Sequence, residues 1–346
     1  MPRETERFPS VSVVIYPEES SKNLLPLLES IFTQNYPGEV EAIVCIEGKK
    51  QSENLLKTMQ LENPNLHVTF IPDDSKNISR RKLAIYLGIK AARHEIIVTT
   101  NTQSAIESKG WLKSVVSCYY DGVDVVISPS LTIINGRISL RKILRENDSA
   151  LDTLTWMASA IAGKPYRGSS SNLSFRREVF FENNGYAKTL NLHYGEDDLF
   201  VNEINTGENI AVNTSRDSVI RKYVSDIRSF DDDKSKRLFT TKGLGAYARR
   251  IASILPLTIW LNLIFGILGI VFSHGNIFYL IGSSLAIVLF WILLTKLFKG
   301  DTRFLRFAPS NLTIVPMFFV RPFMTISRRH DMISDSDSHF TWTKLK

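Results

Sequence analysis

His94-Glu95-Ile96-Ile97-Val98-Thr99-Thr100-Asn101-Thr102-Gln103-Ser104 is the stretch on which the reading of the fold turns. Ile96, Ile97 and Val98 form an unbroken apolar run, the mark of a strand buried on both faces. The residues after Thr100 turn polar at once. In an open α/β sheet, chemistry sits just beyond the carboxyl ends of the strands. Asn101 and Gln103 therefore stand where a ligand is expected.

Working outward, the same alternation recurs on both sides. Residues 11–16 carry Val-Val-Ile at their centre and read as an interior strand. Leu24, Leu27, Leu28, Ile31 and Phe32 follow at helical spacing, and Tyr36-Pro37-Gly38 stops that helix. Strands over 41–46 and 67–71, helices over 52–60 and 79–92, the central strand at 96–100, a helix over 111–120 and a strand over 123–128 complete the pattern. Strands alternating with helices mean βαβ units and a mostly parallel Rossmann-like sheet with helices on both faces. Right-handed crossovers bring the loops at Pro17, Glu47, Asp73-Asp74 and 101–104 to one rim. Beyond Ser128 the rhythm changes. Residues 140–162 read as a long amphipathic helix. A small, polar segment follows at 168–175, then a short helix over 176–181, and Gly195-Glu196-Asp197-Asp198 opens another helix with three acids in its first turn.

The chain has 346 residues and a net charge of +7, unevenly distributed. Basic residues crowd 234–250 and return at Lys296, Lys299, Arg303 and Arg306, flanking apolar runs. That placement favours an anionic membrane surface over nucleic acid, for which no accompanying signature exists. Cys45 and Cys118 supply neither a disulfide framework nor metal-ligand spacing. Residues 1–9 are polar and charged, unlike a signal peptide. Residues 251–272 carry no charge, and as a helix would rise about 33 Å, enough to span a bilayer core. A second uncharged run covers 277–295. Basic flanks on both sides put them in the cytosol, with the short loop between the runs facing outward. Residues 311–326 are apolar but interrupted by Pro316, Arg321 and Pro322, and suit the interface or a re-entrant path.

The motifs together carry a resemblance. Gln34-Asn35-Tyr36-Pro37, Trp111-Leu112, the segment Gly168 to Arg176 with Asn172-Leu173-Ser174-Phe175, and Gly195-Glu196-Asp197-Asp198-Leu199-Phe200-Val201 occur in order. In that order and spacing the chain resembles a family 2 glycosyltransferase of the A-type nucleotide-diphospho-sugar fold, of the membrane-anchored bacterial kind. The resemblance implies donor contacts from Pro17 and from Glu47, or leaves Glu47 a solvated loop acid. It implies a general base in the Glu-Asp motif, Asp197, with Glu196 and Asp198 beside it. Gly168 and Asn172 fall on the acceptor side.

In such proteins two aspartates hold a divalent cation on the donor diphosphate, a Lewis acid for the departing phosphate. Asn101 and Gln103 occupy those positions here, and hard cations prefer anionic oxygen. No metal site is expected; Mg²⁺ or Mn²⁺ would be weakly held, and no cofactor is required. Arg80 and Arg81, with Lys234 and Arg237 from a degenerate Gln-x-x-Arg-Trp motif, could clamp a diphosphate instead. Both sets also suit solvated or interfacial helix faces.

The expected organisation is a polar arm (1–9), a nucleotide-sugar-binding half (10–128) and an acceptor half (129–232). A basic interfacial segment (233–250), two transmembrane helices forming a hairpin (251–297) and a basic linker with interfacial segment and tail (298–346) follow. The expected function is transfer of a sugar from a nucleotide-diphospho-sugar to a lipid or polysaccharide acceptor with inversion. The alternative is an inactive homologue acting as a scaffold beside a glycan-pathway protein partner. Either is expected as a multi-pass protein of the cytoplasmic membrane, its catalytic-type domain in the cytosol.

Overall fold

The structure is a computed structural model; it describes residues 8–16, 24–47, 63–72 and 79–334, and within these not the side chains of 47, 249, 252–256 and 329–334. The expected helix over 52–60 and the rim positions Pro17 and Asp73-Asp74 lie outside the described residues, as does the Glu47 side chain.

Seven strands make the main sheet. They are β1 (Val11–Tyr16), β2 (Val40–Glu47), β3 (Leu66–Ile71), β4 (Ile96–Asn101), β6 (Val125–Ile127), β8 (Leu173–Arg176) and β9 (Ile210–Val212), in the order β3-β2-β1-β4-β8-β6-β9. All neighbours pair in parallel except β8, which runs antiparallel between β4 and β6. The sequence stretch that decides the fold is thus the middle strand. β4 is buried along its whole length, as its apolar run requires.

Helices cover both faces, and the alternation of side chains along β1 shows why. Val11, Val13 and Ile15 point to one face and pack with Leu24, Leu27, Leu28 and Ile31 of α1 (Leu24–Phe32) and with Trp111 and Leu112 of α3 (Trp111–Val116). Val14 and Tyr16 point to the other and meet Ala84, Ile85 and Ile89 of α2 (Arg80–Ala91). Trp156 and Met157 of α4 (Leu140–Ile161) join that second layer, with Phe180 of α5 (Arg177–Glu182) and Phe200 of α6 (Asp198–Ile204).

A second, three-stranded sheet lies beside the rim: β5 (Ser104–Ile106), β10 (Ile220–Val224) and β7 (Ser130–Ile134), with β10 in the middle. It takes the chain leaving Asn101 and fixes it, because β5 begins three residues after β4 ends. The backbone N–H of Tyr223 also donates to the Gln103 carbonyl (2.8 Å). α7 (Ile227–Thr240) follows β10 and lies along α4.

Three long helices close the chain: α8 (Ala246–Val271), α9 (Ile277–Phe304) and α10 (Asn311–Ser334). Among the described residues only α9 is long and apolar enough to cross a membrane. Among the described residues the expected two-span hairpin has one qualifying span, and a multi-pass topology is not supported. α10 continues through Pro316 and Pro322 and buries Ile314, Met317 and Phe318 against α4 and α9. Phe319 stacks on Trp291 of α9 with ring centroids 4.6 Å apart.

Candidate functional site

The rim of the sheet begins with two facing strand ends. Tyr16 closes β1 and Asn101 closes β4, and the register pairs them directly. Both are fully buried. The Asn101 amide nitrogen donates to the Tyr16 hydroxyl (3.1 Å) and to Ser171 Oγ (2.9 Å). Its oxygen accepts from the Gln103 backbone N–H (3.0 Å) and from Ser104 Oγ (3.0 Å). A primary amide has two protons to give and two lone pairs to offer, so this side chain is saturated. Asn101 locks the turn and has no electron pair left for a ligand.

Tyr16 passes the network on. Its hydroxyl accepts from Asn101 and from Arg81 Nη2 (2.7 Å), which leaves its proton for Ser170 Oγ at 2.9 Å. The Arg81 guanidinium lies over the Tyr16 ring, 4.6 Å from its centroid, and its Nε is 2.6 Å from Glu196 Oε1. Ser170 Oγ in turn donates to Glu196 Oε1 (3.4 Å). One continuous chain thus runs from the Asn101 turn to the acidic turn.

The acidic turn opens α6. Asp197 caps the helix: one oxygen accepts from the Asp198 N–H (2.8 Å), the other from the Ser170 N–H (3.0 Å). Asp197 is the half-buried member of the three; Glu196 and Asp198 are buried. Asp198 accepts from the Leu199 N–H (2.8 Å), from Thr240 Oγ1 and from Arg167 Nη2 (3.4 Å). Burial, with Asp197 adding to it, pushes the Asp198 carboxyl up to about 6, against the pull of Arg167. Burial likewise raises Glu196, opposed by Arg81. Glu196 Oε2 is buried with no hydrogen-bond partner among the described residues. Gly195, at φ +97°, makes the turn into the acids; a side chain there would be strained and would strike Leu199.

A cleft opens over these groups. Its basic lining comes from Arg81, Lys222, Lys236 and Arg237, and Asp233 sits among them. Lys222 Nζ is 2.6 Å and Lys236 Nζ 3.3 Å from the Asp233 carboxylate. Burial alone would raise that carboxyl, but the two lysines outweigh it and hold it well below the usual range.

The sequence-derived residues thus divide. Arg81, Arg237, Glu196, Asp197 and Asp198 meet in one cleft. Arg80 turns aside, its Nη1 reaching the Pro72 carbonyl at 3.5 Å. Gln103 lines a separate cavity with Leu27, Ser30 and Tyr223. Lys234 pairs with Asp148 in a cavity behind α7. Asn172 is buried and stitches the sheets together: it accepts from Trp111 Nε1 (3.0 Å) and donates to the Pro129 and Ser218 carbonyls (2.7 Å each). Gly168 lies where a β-carbon would come within 3.2–3.3 Å of Leu173, Ile127 and Val201. Both have structural duties that their side chains, or the lack of one, fully explain. Sequence reasoning missed Tyr16, Lys222 and Arg167. A polar ring ending an apolar strand on the same rim as Asn101 was the available signal for Tyr16.

A diphosphate-bound cation does not fit these residues. Asn101 is saturated, Gln103 lies elsewhere, and a guanidinium occupies the centre of the network. Among the described residues no three His, Cys, Asp or Glu side chains are grouped to hold a metal.

No family model matches the chain, and no curated protein matches it. Solved structures do. The chain is similar to "Mannosyltransferase PcManGT from Pyrobaculum calidifontis in complex with GDP-Man and Mn2+", with a TM-score of 0.54 at 14% identity over 96% of this chain and 89% of that one. It is also similar to GalNAc-T7 solved with UDP, GalNAc and Mn2+, with a TM-score of 0.46 at 15% identity over 64% and 45% of the two chains. At that identity the mannosyltransferase shows the fold, which is glycosyltransferase-like.

Proposed function

We propose that the cleft binds a nucleotide-diphospho-sugar and transfers the sugar, with inversion, to an acceptor hydroxyl without a resident metal. The observation that carries this reading is the convergence of Arg81, Lys222, Lys236 and Arg237 on one cleft with the half-exposed Asp197. Guanidinium and ammonium groups in a partly dry cleft stabilise charge growing on a departing diphosphate, the part a cation plays elsewhere. Asp197 takes the acceptor proton as the hydroxyl oxygen bonds to the anomeric carbon. The bond from that carbon to the diphosphate oxygen breaks, and its electron pair leaves with the nucleoside diphosphate. Glu196 Oε2, buried and unpartnered among the described residues, is suited to accept from a sugar hydroxyl. Lipid or glycan acceptors, a family 2 assignment and a membrane location belong to this same proposal.

A second reading has its own support. Arg81 is already tied to Glu196 and Tyr16, so a donor must compete for it. A fold that keeps this internal bond serves as an inactive binding partner in a glycan pathway. Thermal unfolding of the purified protein with a panel of nucleotide-sugars, with and without Mn²⁺, separates the two. The transferase reading expects at least one donor to raise the Tm by several degrees whether or not Mn²⁺ is present, and to be turned over with a matching acceptor. No shift with any donor would sink it in favour of the scaffold.

A further inference from the structure

Behind α7 a second cavity lies between α4, α7, α8 and α10. Arg167, Lys234, Arg237 and Arg321 line it together with Asp148 and Asp152. Lys234 and Arg321 both hold Asp148, the latter at 2.8 Å. Asp152 is shared by Arg237 (3.0 Å), Arg321 (3.6 Å) and Arg167 (3.7 Å). Asp233 reaches the same wall but is held between Lys222 and Lys236. Four cations thus meet two carboxylates, one of the four, Arg167, being shared with Asp198. Partly buried positive charge in excess of its partners is unfavourable unless an anion completes it.

Leu238, Ala248 and Ile251 add apolar lining to the same cavity. Ala248 and Ile251 belong to α8, whose later turns expose Ile264 and Phe265. A cavity with both charged and apolar lining suits a molecule that carries both.

We propose that this cavity binds the phosphate head of an amphiphile, with Lys234, Arg237 and Arg321 on the phosphate and the chain leaving along Ala248 and Ile251. Arginine forks favour phosphate because they pair with two oxygens at once. Arg237 is the most open of the cations, its side chain 33% exposed against 13% for Lys234 and 15% for Arg321. It also lines the acidic cleft, so a head held here brings whatever is esterified to the phosphate beside Asp197. Naming the molecule a lipid-linked acceptor rests on the transferase reading; the binding site itself does not.

The test uses the full chain in a neutral, non-ionic detergent with no donor present. Thermal unfolding is followed with dihexanoyl phosphatidic acid, dihexanoyl phosphatidylcholine and inorganic phosphate. Phosphatidic acid is expected to raise the Tm at concentrations at least tenfold below those at which either other probe acts. Thr325→Trp fills the cavity and leaves every ion pair in place; it is expected to weaken the response at least tenfold. An equal response to the choline lipid means that the chain partitions without head recognition, and overturns the proposal. An equal response to inorganic phosphate makes the ligand a free anion and overturns the amphiphile. An undiminished response in Thr325→Trp places binding elsewhere. If that variant does not fold, Arg237→Lys decides: it keeps the charge without the fork, and full affinity in it overturns the proposal. Because no donor is used, failure here and failure of the donor titration are separate results.

Discussion

Asp198 is a carboxylate placed among three donors and two neighbours of its own sign, Asp197 and Glu196. Leu199, Thr240 and Arg167 stabilise its charge, while burial and Asp197 oppose it and prevail. In the folded protein its pKa is pushed up to about 6 from an ordinary 3.8. The native state then binds more protons than the unfolded chain between about pH 4 and pH 6, so this group's contribution falls as pH rises through that window. Asp152 and Asp233 are shifted the other way, and their contribution is lost as pH falls below about 4. Wild-type stability mixes the two trends, whereas comparison with Asp198→Asn isolates one. Urea denaturation at pH 4 and pH 7 is expected to move the stability difference toward Asp198→Asn at the higher pH, by on the order of 2 kcal/mol. A pH-independent difference would show that Asp198 is charged throughout. At this same scale, the sequence reveals that Asn101 is no carboxylate, but not that its amide is saturated. Its partners Tyr16, Ser171, Gln103 and Ser104 come from three separate segments, and only folding brings them together.

Among the elements, α2 packs close against the sheet, and Gly88 permits it. A β-carbon at Gly88 would lie 2.5 Å from Val14 Cγ1 and 2.8 Å from Cys45 Sγ, the buried residues of β1 and β2. Helix propensity favours alanine over glycine by about 1 kcal/mol. Overpacking at a site with no room costs about 1–3 kcal/mol, and both neighbours are fully buried with nowhere to move. Gly88→Ala is therefore expected to destabilise the protein, by up to about 2 kcal/mol net, in urea denaturation. A stabilised variant would mean that α2 rides farther from the sheet. Elements with a strong apolar period, such as β1, β4 and α4, could be read from sequence because burial alone dictates them. The small sheet could not. Ser104–Ile106 is three residues long, and Ser130–Ile134, only two residues after β6, lies just beyond the expected strand over 123–128. Ile220-Arg221-Lys222-Tyr223-Val224 does alternate buried and half-buried, and that signal for β10 went unused. α7 offers little period because its chain is mostly charged, with Phe230 and Phe239 as its buried rings.

For the molecule as a whole, the unresolved pressure is apolar surface. α9 leaves Leu285, Val288, Leu289, Ile292 and Leu293 about half exposed, and only 6% of its most apolar window is buried. Each large aliphatic side chain left in water forgoes about 1.5–3 kcal/mol of burial, and a contiguous face of this kind marks contact with lipid or with another apolar surface. Lys296, Lys299, Arg303 and Arg306 gather at the end of α9 nearer the folded body, the placement favoured beside an anionic leaflet. α10 makes that end rigid: Phe319 stacks on Trp291, Arg321 reaches Asp148 (2.8 Å) and Arg328 reaches Asp231 (2.9 Å). A helix inserted by hydrocarbon contact and one held by surface charge respond differently to salt, since screening shortens to about 3 Å at 1 M. The full chain is expected to sediment with membranes, to stay there through 1 M salt and alkaline carbonate, and to leave with a non-ionic detergent. Release by salt alone would make the attachment electrostatic and peripheral. The apolar face of α9 would then need a protein surface, not a bilayer, to cover it.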